Sequence, residues 1–373
     1  MLVLGDGPFE GRGPPAFPPA AAAAAAILLF AFGTPGAAGA QPEPAPTHLL
    51  TLALIDPATG APTAARLSVQ GSDGGSLRPS ADSLCLFQDA LGGYFYADSA
   101  ATLFVPAGPT RVRAAKGIEY TRFDDTLDVQ SDTTVVIELA PWIEPRSGGW
   151  VGGEAHAHLA HPPVIYDLDA DDALFLLRGE GVRVATFLEH GYLFTGEVDP
   201  HGDTDAFFFA SEEYRSPIFG HLGLLGLDAF IDPDWGYLGW PLNREIIEEV
   251  RGHDHALAVY AHPVPTYDFF DVNDWPGTGL AREIWIDAAL GDLDAMEVLS
   301  YSNTAVPGFV ADTLWHHLWN SGFAVPGIAG TDACPGRGGS YPLGALRGYA
   351  LVPDPYAPPG DLYDDWIEAV RRG

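Results

Sequence analysis

The sequence predicts an α/β chain in two parts, a small all-β sandwich followed by a parallel, barrel-like domain. Three observations carry this prediction. Before residue 140 the apolar runs are short, rich in Val, Leu, Thr and aromatics, and separated by turn residues. After it, apolar strands alternate with helical stretches, the pattern of a parallel sheet covered by helices. The chain has 373 residues, too many for one ordinary domain, and 47% hydrophobic content with nine Trp, fourteen Tyr and twenty Phe fills sizeable cores.

Residues 1–40 read as a signal peptide or anchor. AAAAAAAILLFAF ends at Phe32 as an apolar core, and Ala38-Gly39-Ala40 forms an A-x-A cleavage signal before Gln41. The stretch before it is atypical, because Asp6 and Glu10 outweigh Arg12. No later segment approaches ~20 uninterrupted apolar residues, so an exported protein that leaves the membrane after leader removal is expected. Residues 41–47, QPEPAPT, are a Pro-rich linker.

Residues 48–140 carry the β rhythm. LLTLALID, AARLSVQG, GYFYADS, TLFVP, TRVRAA and TTVVIELA are punctuated by PATG, SDGG, LGG and PAGP. Strands this short and frequent make a sandwich, with no His, Asp or Glu cluster at ligand spacing. PWIEPRSGG is the boundary to residues 141–373. Strands are expected there at WVGGEAHAH, VRVATFLE, AFFFAS, LGLLGL, ALAVYAH, AMEVLSY, AVPGIAG and RGYALV. Helices are expected at DADDALFLLRGE, PLNREIIEEVRG, GLAREIWIDAALG, GFVADTLWHHLWN and DLYDDWIEAVRR.

Charge narrows the function. Fifty acidic residues face 18 basic ones, a net charge of −32, with Lys116 the only lysine. Such a surface repels phosphate backbones and excludes nucleic-acid binding as an expectation. The two cysteines, Cys85 and Cys334, make neither a disulfide framework nor a thiolate metal cluster.

The chemistry lies in imidazoles at strand ends, where barrel sites are built. Side chains at i and i+2 on a strand share a face, which places His156 and His158 together with Glu154 beside them, while His161 falls in the following loop. Later strands end at His190, at His262 in VYAHP and at Asp332 in GIAGTDA, and SEEYRSPIFGHLGLL adds Glu213 and His221. Neutral imidazoles with carboxylates between them suit two or three first-row ions. A carboxylate such as Glu213 can bridge two ions ~3.5–4 Å apart and leave room for a shared hydroxide. His316 and His317 sit on an amphipathic helix, one of them facing the core, and His253 and His255 are solvated.

The order H-x-H, H, E, H, H, D resembles two superfamilies of metallohydrolases. Amidohydrolases that bridge their metals with a carboxylated lysine are excluded, because Lys116 lies in the β module. The PHP (polymerase and histidinol phosphatase) superfamily is the closer match, through GVRVATFLEH with Glu189 where aspartate is usual. Closer still is its carbaryl-hydrolase-like branch. FVPAGPTRVRAAKGIEYTRF, GWVGGEAHAH, EEYRSPIFGHLGLLGL, VYAHP, DLDAMEVLSYSN and GFAVPGIAGTDA follow that branch's order from about residue 48 to the end.

This resemblance implies a distorted (β/α)7-type barrel behind the sandwich. It implies His156, His158, His190, Glu213, His221, His262 and Asp332 as ligands of two, or three, divalent ions (Zn, Mn or Fe). Glu154 would orient a ligand histidine, and Cys334 stands where other PHP members place a histidine and is taken as a non-ligand. The resemblance further implies a hydrolase in which a metal-bridging hydroxide attacks a small-molecule substrate. His190 or Glu189 would move the proton and Arg347 would contact an anionic or carbonyl group. A lysine-free, aromatic-rich barrel, with TYDFFDVNDW and the FFF of AFFFAS, favours a carboxylic ester, amide or carbamate. The alternatives are a phosphoesterase and a non-catalytic metal-containing binding module. The family follows DLYDDWIEAVRRG with a further strand, so a C-terminally truncated barrel is also implied.

Overall fold

The computed structural model describes residues 46–79, 93–160, 168–189, 193–216, 218–231, 241–263, 281–300, 310–335 and 341–373. The first part is built from two sheets. In one, β1 (Thr47–Ile55) lies between β5 (Ala100–Pro106), antiparallel to it, and β8 (Thr133–Glu138), parallel to it. In the other, β2 (Ala65–Gln70) pairs with β3 (Ser76–Leu77), β4 (Phe95–Ala97) and β6 (Gly108–Ala115), and β6 pairs with β7 (Phe123–Val129). Alternate residues point to one shared core: Leu50, Leu52 and Leu54 of β1 meet Leu67, Val69, Leu103, Val105 and Val112. Each fully buried Val or Leu contributes about 1.5–3 kcal/mol, which is why the alternation fixes strand register here.

The second part is one eight-stranded sheet in the order β15-β14-β13-β12-β11-β10-β9-β16. Its strands are β9 (Trp150–Ala157), β10 (Val184–Glu189), β11 (Phe207–Ser216), β12 (Gly220–Leu225), β13 (Leu257–Tyr260), β14 (Ala295–Ser300), β15 (Gly327–Gly330) and β16 (Gly348–Leu351). The sheet nearly closes. Beyond β15, Ala333 forms a parallel bridge with Ala157, Asp332 N–H donates to His156 O at 2.7 Å, and His158 N–H donates to Ala333 O at 2.8 Å.

This architecture corrects the expected (β/α)7 barrel. Three pairings are antiparallel: β11 with β12, β12 with β13, and β16 with β9. For the first of these the reason is local. Between β11 and β12 the Ser216 hydroxyl accepts from the Phe219 N–H, and Gly220 takes a φ of 95° that favours glycine. A turn this tight leaves no room for the crossover helix that a parallel neighbour requires. Strand content also outweighs helix, at 39% against 20%, with five α-helices among the described residues. These are α1 (Ala170–Gly179), α2 (Asn243–Val250), α3 (Ile284–Leu290), α4 (Val310–Asn320) and α5 (Pro359–Arg372).

Two faces of the sheet are covered differently. On one side, α1 packs Leu174 and Leu177 against Phe187 and Phe208, and α2, α3 and α4 share a second cluster with Leu222, Leu224, Tyr260 and Met296. The other face carries Val184, Leu188, Phe209, Leu225, Val259, Ala295 and Ile328 and is filled by α5. There Trp366 is fully buried, and Tyr363 stacks on Phe209 with centroids 4.7 Å apart and bonds Thr186 at 2.8 Å. Gly153 is required at this contact, since a Cβ there would lie 2.5 Å from the Trp366 ring. The apolar plug occupies one end of this face and leaves the other end to polar side chains.

Candidate metal centre

The polar end is assembled by a bulge. Pairing of β9 with β10 runs Gly153 with Val184 and Glu154 with Ala185, then shifts so that Ala157 meets Phe187. One extra residue in β9 reverses the alternation, so Val151 and Ala155 face α5 before it while His156 and His158 share that face after it. Glu154 is thereby turned away from the two histidines instead of standing beside them. Its carboxylate accepts from the Thr331 hydroxyl (2.6 Å) and the N–H groups of Thr331 (2.8 Å), Gly344 (2.8 Å) and His156 (3.0 Å). Burial pushes Glu154 up to about 7 despite those bonds. It fixes the backbone on both sides of the site, at His156 and just before Asp332.

Six of the seven ligand-type residues expected from the sequence converge. The His156 and His158 Nε2 atoms are 3.1 Å apart, and Asp332 Oδ1 lies 3.0 Å from the latter and 3.5 Å from the former. Glu213 reaches the same space, with Oε1 3.8 Å from His156 Nε2 and Oε2 3.6 Å from His158 Nε2. On its other side, Glu213 Oε1 is 2.8 Å from His221 Nδ1 and 3.3 Å from His262 Nε2. His190 lies outside the described residues, as do His161 and TYDFFDVNDW.

The remaining ring atoms are already committed. His156 Nδ1 is 2.6 Å from Glu297 Oε1, and His158 Nδ1 is 2.5 Å from the Leu188 carbonyl. An acceptor at Nδ1 fixes the proton there and turns the Nε2 lone pair toward the cluster, the arrangement that metal-ligating histidines adopt. Ligands at ~2.0–2.2 Å from one ion span at most about 4.4 Å. His156, His158 and Glu213 offer atoms all within 4.8 Å of one another, as do His156, His262 and Asp332, and again Glu213, His221 and His262. The donor set, imidazole nitrogens with carboxylate oxygens, suits borderline divalent ions. His156, His158, Glu213, His221, His262 and Asp332 are thus the residues that would hold divalent ions here.

Electrostatics agree with this fit. Burial alone would favour a neutral His156, but the carboxylates of Glu297, Asp332 and Glu213 outweigh it and push the ring up to about 10. Burial alone would likewise raise Glu213 and Asp332, yet the surrounding imidazoles hold both well below the usual carboxylate range. The same carboxylates raise His262 against its burial, whereas burial wins at His221 and lowers it. Such a nest of buried anions is stable only beside a cation, whether protons on the rings or a metal ion. Backbone strain marks the same place. His262 and Asp332 have φ of 31° and 50°, two of three non-glycine residues with positive φ among the described residues.

Two residues of the site gave no signal as ligands in the sequence. Glu297 is the single acid of AMEVLS; besides His156 it binds the His262 N–H through Oε2 at 2.7 Å. Arg215, two residues past Glu213 on the same strand, donates its Nε to Glu213 Oε2 at 2.5 Å. A lone acid inside an apolar strand was the available cue for Glu297. Arg215 needed only the i, i+2 rule.

Other expected site residues join none of the three ligand groups. Glu189 is buried and accepts the N–H groups of Leu159 (2.5 Å) and Ala160 (3.3 Å), which holds the loop after His158. Arg347 is buried as well. Its Nε, Nη1 and Nη2 donate to the carbonyls of Gly344 (2.8 Å), Gly181 (2.9 Å) and Glu180 (2.9 Å). Cys334 is buried and joins none of the three ligand groups. His316 and His317 are both exposed, so neither faces the core.

Comparison with known proteins gives a different picture from the sequence motifs. No protein-family model matches the chain, and no curated protein does. Among solved structures it is similar to the minor pilin of Streptococcus agalactiae, at 18% identity and a TM-score of 0.20, over 27% of this chain and 48% of that one. It is similar to the C-terminal domain of the shaft pilin of Lactobacillus rhamnosus GG, at 13% identity and a TM-score of 0.19, over 26% of this chain and 98% of that one. A pilus-presented adhesin follows at 18% identity and 0.19, over 26% and 27% of the two chains. The chain thus spans about half the length of the first of these. With no family model matching and three antiparallel pairings in the sheet, the expected PHP membership is corrected, and with it the hydrolase activity and the small-molecule substrate that it implied. The segments behind it, from FVPAGPTRVRAAKGIEYTRF to GFAVPGIAGTDA, contain H-x-H, H-P and T-D pieces that record ligand chemistry at strand ends. Such pieces do not specify a fold or a reaction.

Proposed function

We propose that this chain is a non-enzymatic, metal-holding protein that works outside the cell. Its centre is formed by His156, His158, Glu213, His221, His262 and Asp332. The observation that carries the reading is the pair of Nε2 atoms 3.1 Å apart with both Nδ1 atoms committed elsewhere. Two lone pairs that close repel unless a cation lies between them, and ligands at ~2.0–2.1 Å from one tetrahedral ion are roughly 3.3 Å apart. Two divalent ions, Zn, Mn or Fe, fit the donor set, with Glu213 common to both.

The extracellular part of the reading rests on residues 1–40 as an export leader and 41–47 as a linker. No described helix is long and apolar enough to cross a membrane. The division at residues 140/141 separates the metal-holding part from a β module that carries none of the ligands.

Elemental analysis of purified, metal-replete protein tests the proposal. Close to two ions per chain are expected, with a clear loss in His156→Ala and in Glu213→Ala. Fewer than one tightly held ion in the wild-type chain would overturn it.

A further inference from the structure

A second site lies away from the metal centre, on the outer face of the β2–β6–β7 sheet. There a cleft of about 910 Å³ opens beside the C-terminal end of α1. That volume falls within the ~300–1,000 Å³ of small-molecule sites. Its floor follows from the strand alternation. Arg66 and Ser68 of β2 and Arg113 of β6 point away from the Leu67, Val69 and Val112 core, and Ser68 pairs directly with Arg113. Arg122, just before β7, adds a third guanidinium to the lining, and Trp142 forms a wall with 65% of its surface exposed.

The charge of this cleft is opposite to that of the chain. Two carboxylates line it, and both are already neutralised. Asp124 is bound by Arg111 through two bonds of 2.8 and 2.7 Å, and Glu180 Oε1 is 2.9 Å from Arg66 Nε. Arg113 donates to the uncharged Ser68 hydroxyl at 3.0 Å. Among the described residues neither Arg113 nor Arg122 forms an ion pair with a carboxylate. In a chain with 50 acids and 18 bases, Arg113 and Arg122 stand with Arg111 around the one carboxylate of Asp124, which their charges together hold below its ordinary value, so positive charge exceeds negative on this concave surface. The Trp142 ring is held in place by its Nε1–H, which donates to the Ile118 carbonyl at 2.8 Å, so its exposed face is a fixed platform.

We infer that this cleft binds a small carboxylate carried on a ring, with the Arg113 and Arg122 guanidinium groups on the carboxylate and the ring against Trp142. Planar guanidinium forks match carboxylate geometry, and an exposed indole offers a flat apolar surface. Two sources share this chemistry, a uronic-acid oligosaccharide and an aromatic carboxylic acid. The overall charge of −32 disfavours long polyanions, so the ligand is short.

Calorimetric titration of the full chain with trigalacturonate, benzoate and neutral galactotriose tests the inference. Saturable binding of either acid, with no binding of the neutral sugar, is expected, and the acid that binds identifies the source. The double variant R113A/R122A, with an unchanged melting temperature, should weaken binding at least tenfold. Trp142→Ala should weaken it several-fold and abolish any ligand-induced change in tryptophan fluorescence. No saturable binding of either acid, or equal affinity in R113A/R122A, would overturn the assignment.

Discussion

Glu297 Oε1 lies 2.6 Å from the Nδ1 atom of His156, and the other oxygen of the same carboxylate accepts the backbone N–H of His262 at 2.7 Å. One acid from β14 thus sets the ring of one proposed ligand and the strained backbone of another. Gly330 makes the approach possible, because a Cβ there would lie 2.5 Å from His156 Cβ and 3.0 Å from Glu297 Oε1.

Replacing this carboxylate should loosen the metal rather than unfold the chain. Glu297→Gln keeps the size and one acceptor but loses the charge. Metal affinity is expected to fall about 10–100-fold, the usual cost of losing a partner behind a ligand histidine. Competition with a chelator of known affinity gives the number, and cobalt-substituted protein should show an altered visible spectrum. Unchanged affinity in the variant, with wild-type protein fully loaded, would show that Glu297 does not position the ligand.

The pH dependence should run in opposite directions with and without metal. His156 is held up at about 10, above the ~6.5 of an unfolded histidine. In metal-free protein the stabilisation from its charged ring is complete below ~6.5 and is lost as pH rises toward 10. Metal uptake must displace that proton, so apparent affinity should rise about tenfold per pH unit for each proton released. Melting in chelator at pH 7 and 9.5, set beside metal titrations at pH 6 and 8, separates the two trends.

The α5 plug should be a main support of the second sheet. Trp366→Ala removes a fully buried indole packed against Gly153 and should cost about 3–5 kcal/mol. Urea unfolding would report it as a lower midpoint with an unchanged slope. A cost below 1 kcal/mol would mean that α5 is not part of the core.

Where α1 meets the sandwich, Glu180 is the vulnerable group. It is buried beside Arg66 and takes the Tyr96 hydroxyl at 2.5 Å. Arg66→Ala would leave that carboxylate with no charged partner on the sandwich, at a cost of about 3 kcal/mol for a broken buried pair. The double variant R66A/E180Q should recover most of the loss in thermal melts, since it removes the orphaned charge as well.

The sequence by itself determined the local elements. Period-2 runs such as ARLSVQ and period-3.6 runs such as DLYDDWIEAVRR encode strand or helix through burial on one side. β2 coincides with the first of these runs, and α5 contains the second. It also showed that imidazoles and carboxylates collect at strand ends, because H-x-H and HP need no distant partner to be seen. Tertiary structure decided the rest. Whether β12 runs parallel or antiparallel to its neighbours depends on hydrogen bonds between segments, and the Ser216–Gly220 turn settled it against the parallel barrel. The β9 bulge is a mismatch in length between two strands, so neither strand alone reveals that His156 turns inward and Glu154 away. Glu297 acquires its role only when β14 is brought near His156 of β9, whereas Arg215 acts on Glu213 of its own strand. Ligand chemistry is local and can be read along the chain, whereas handedness, register and pairing are relations between segments that packing alone fixes.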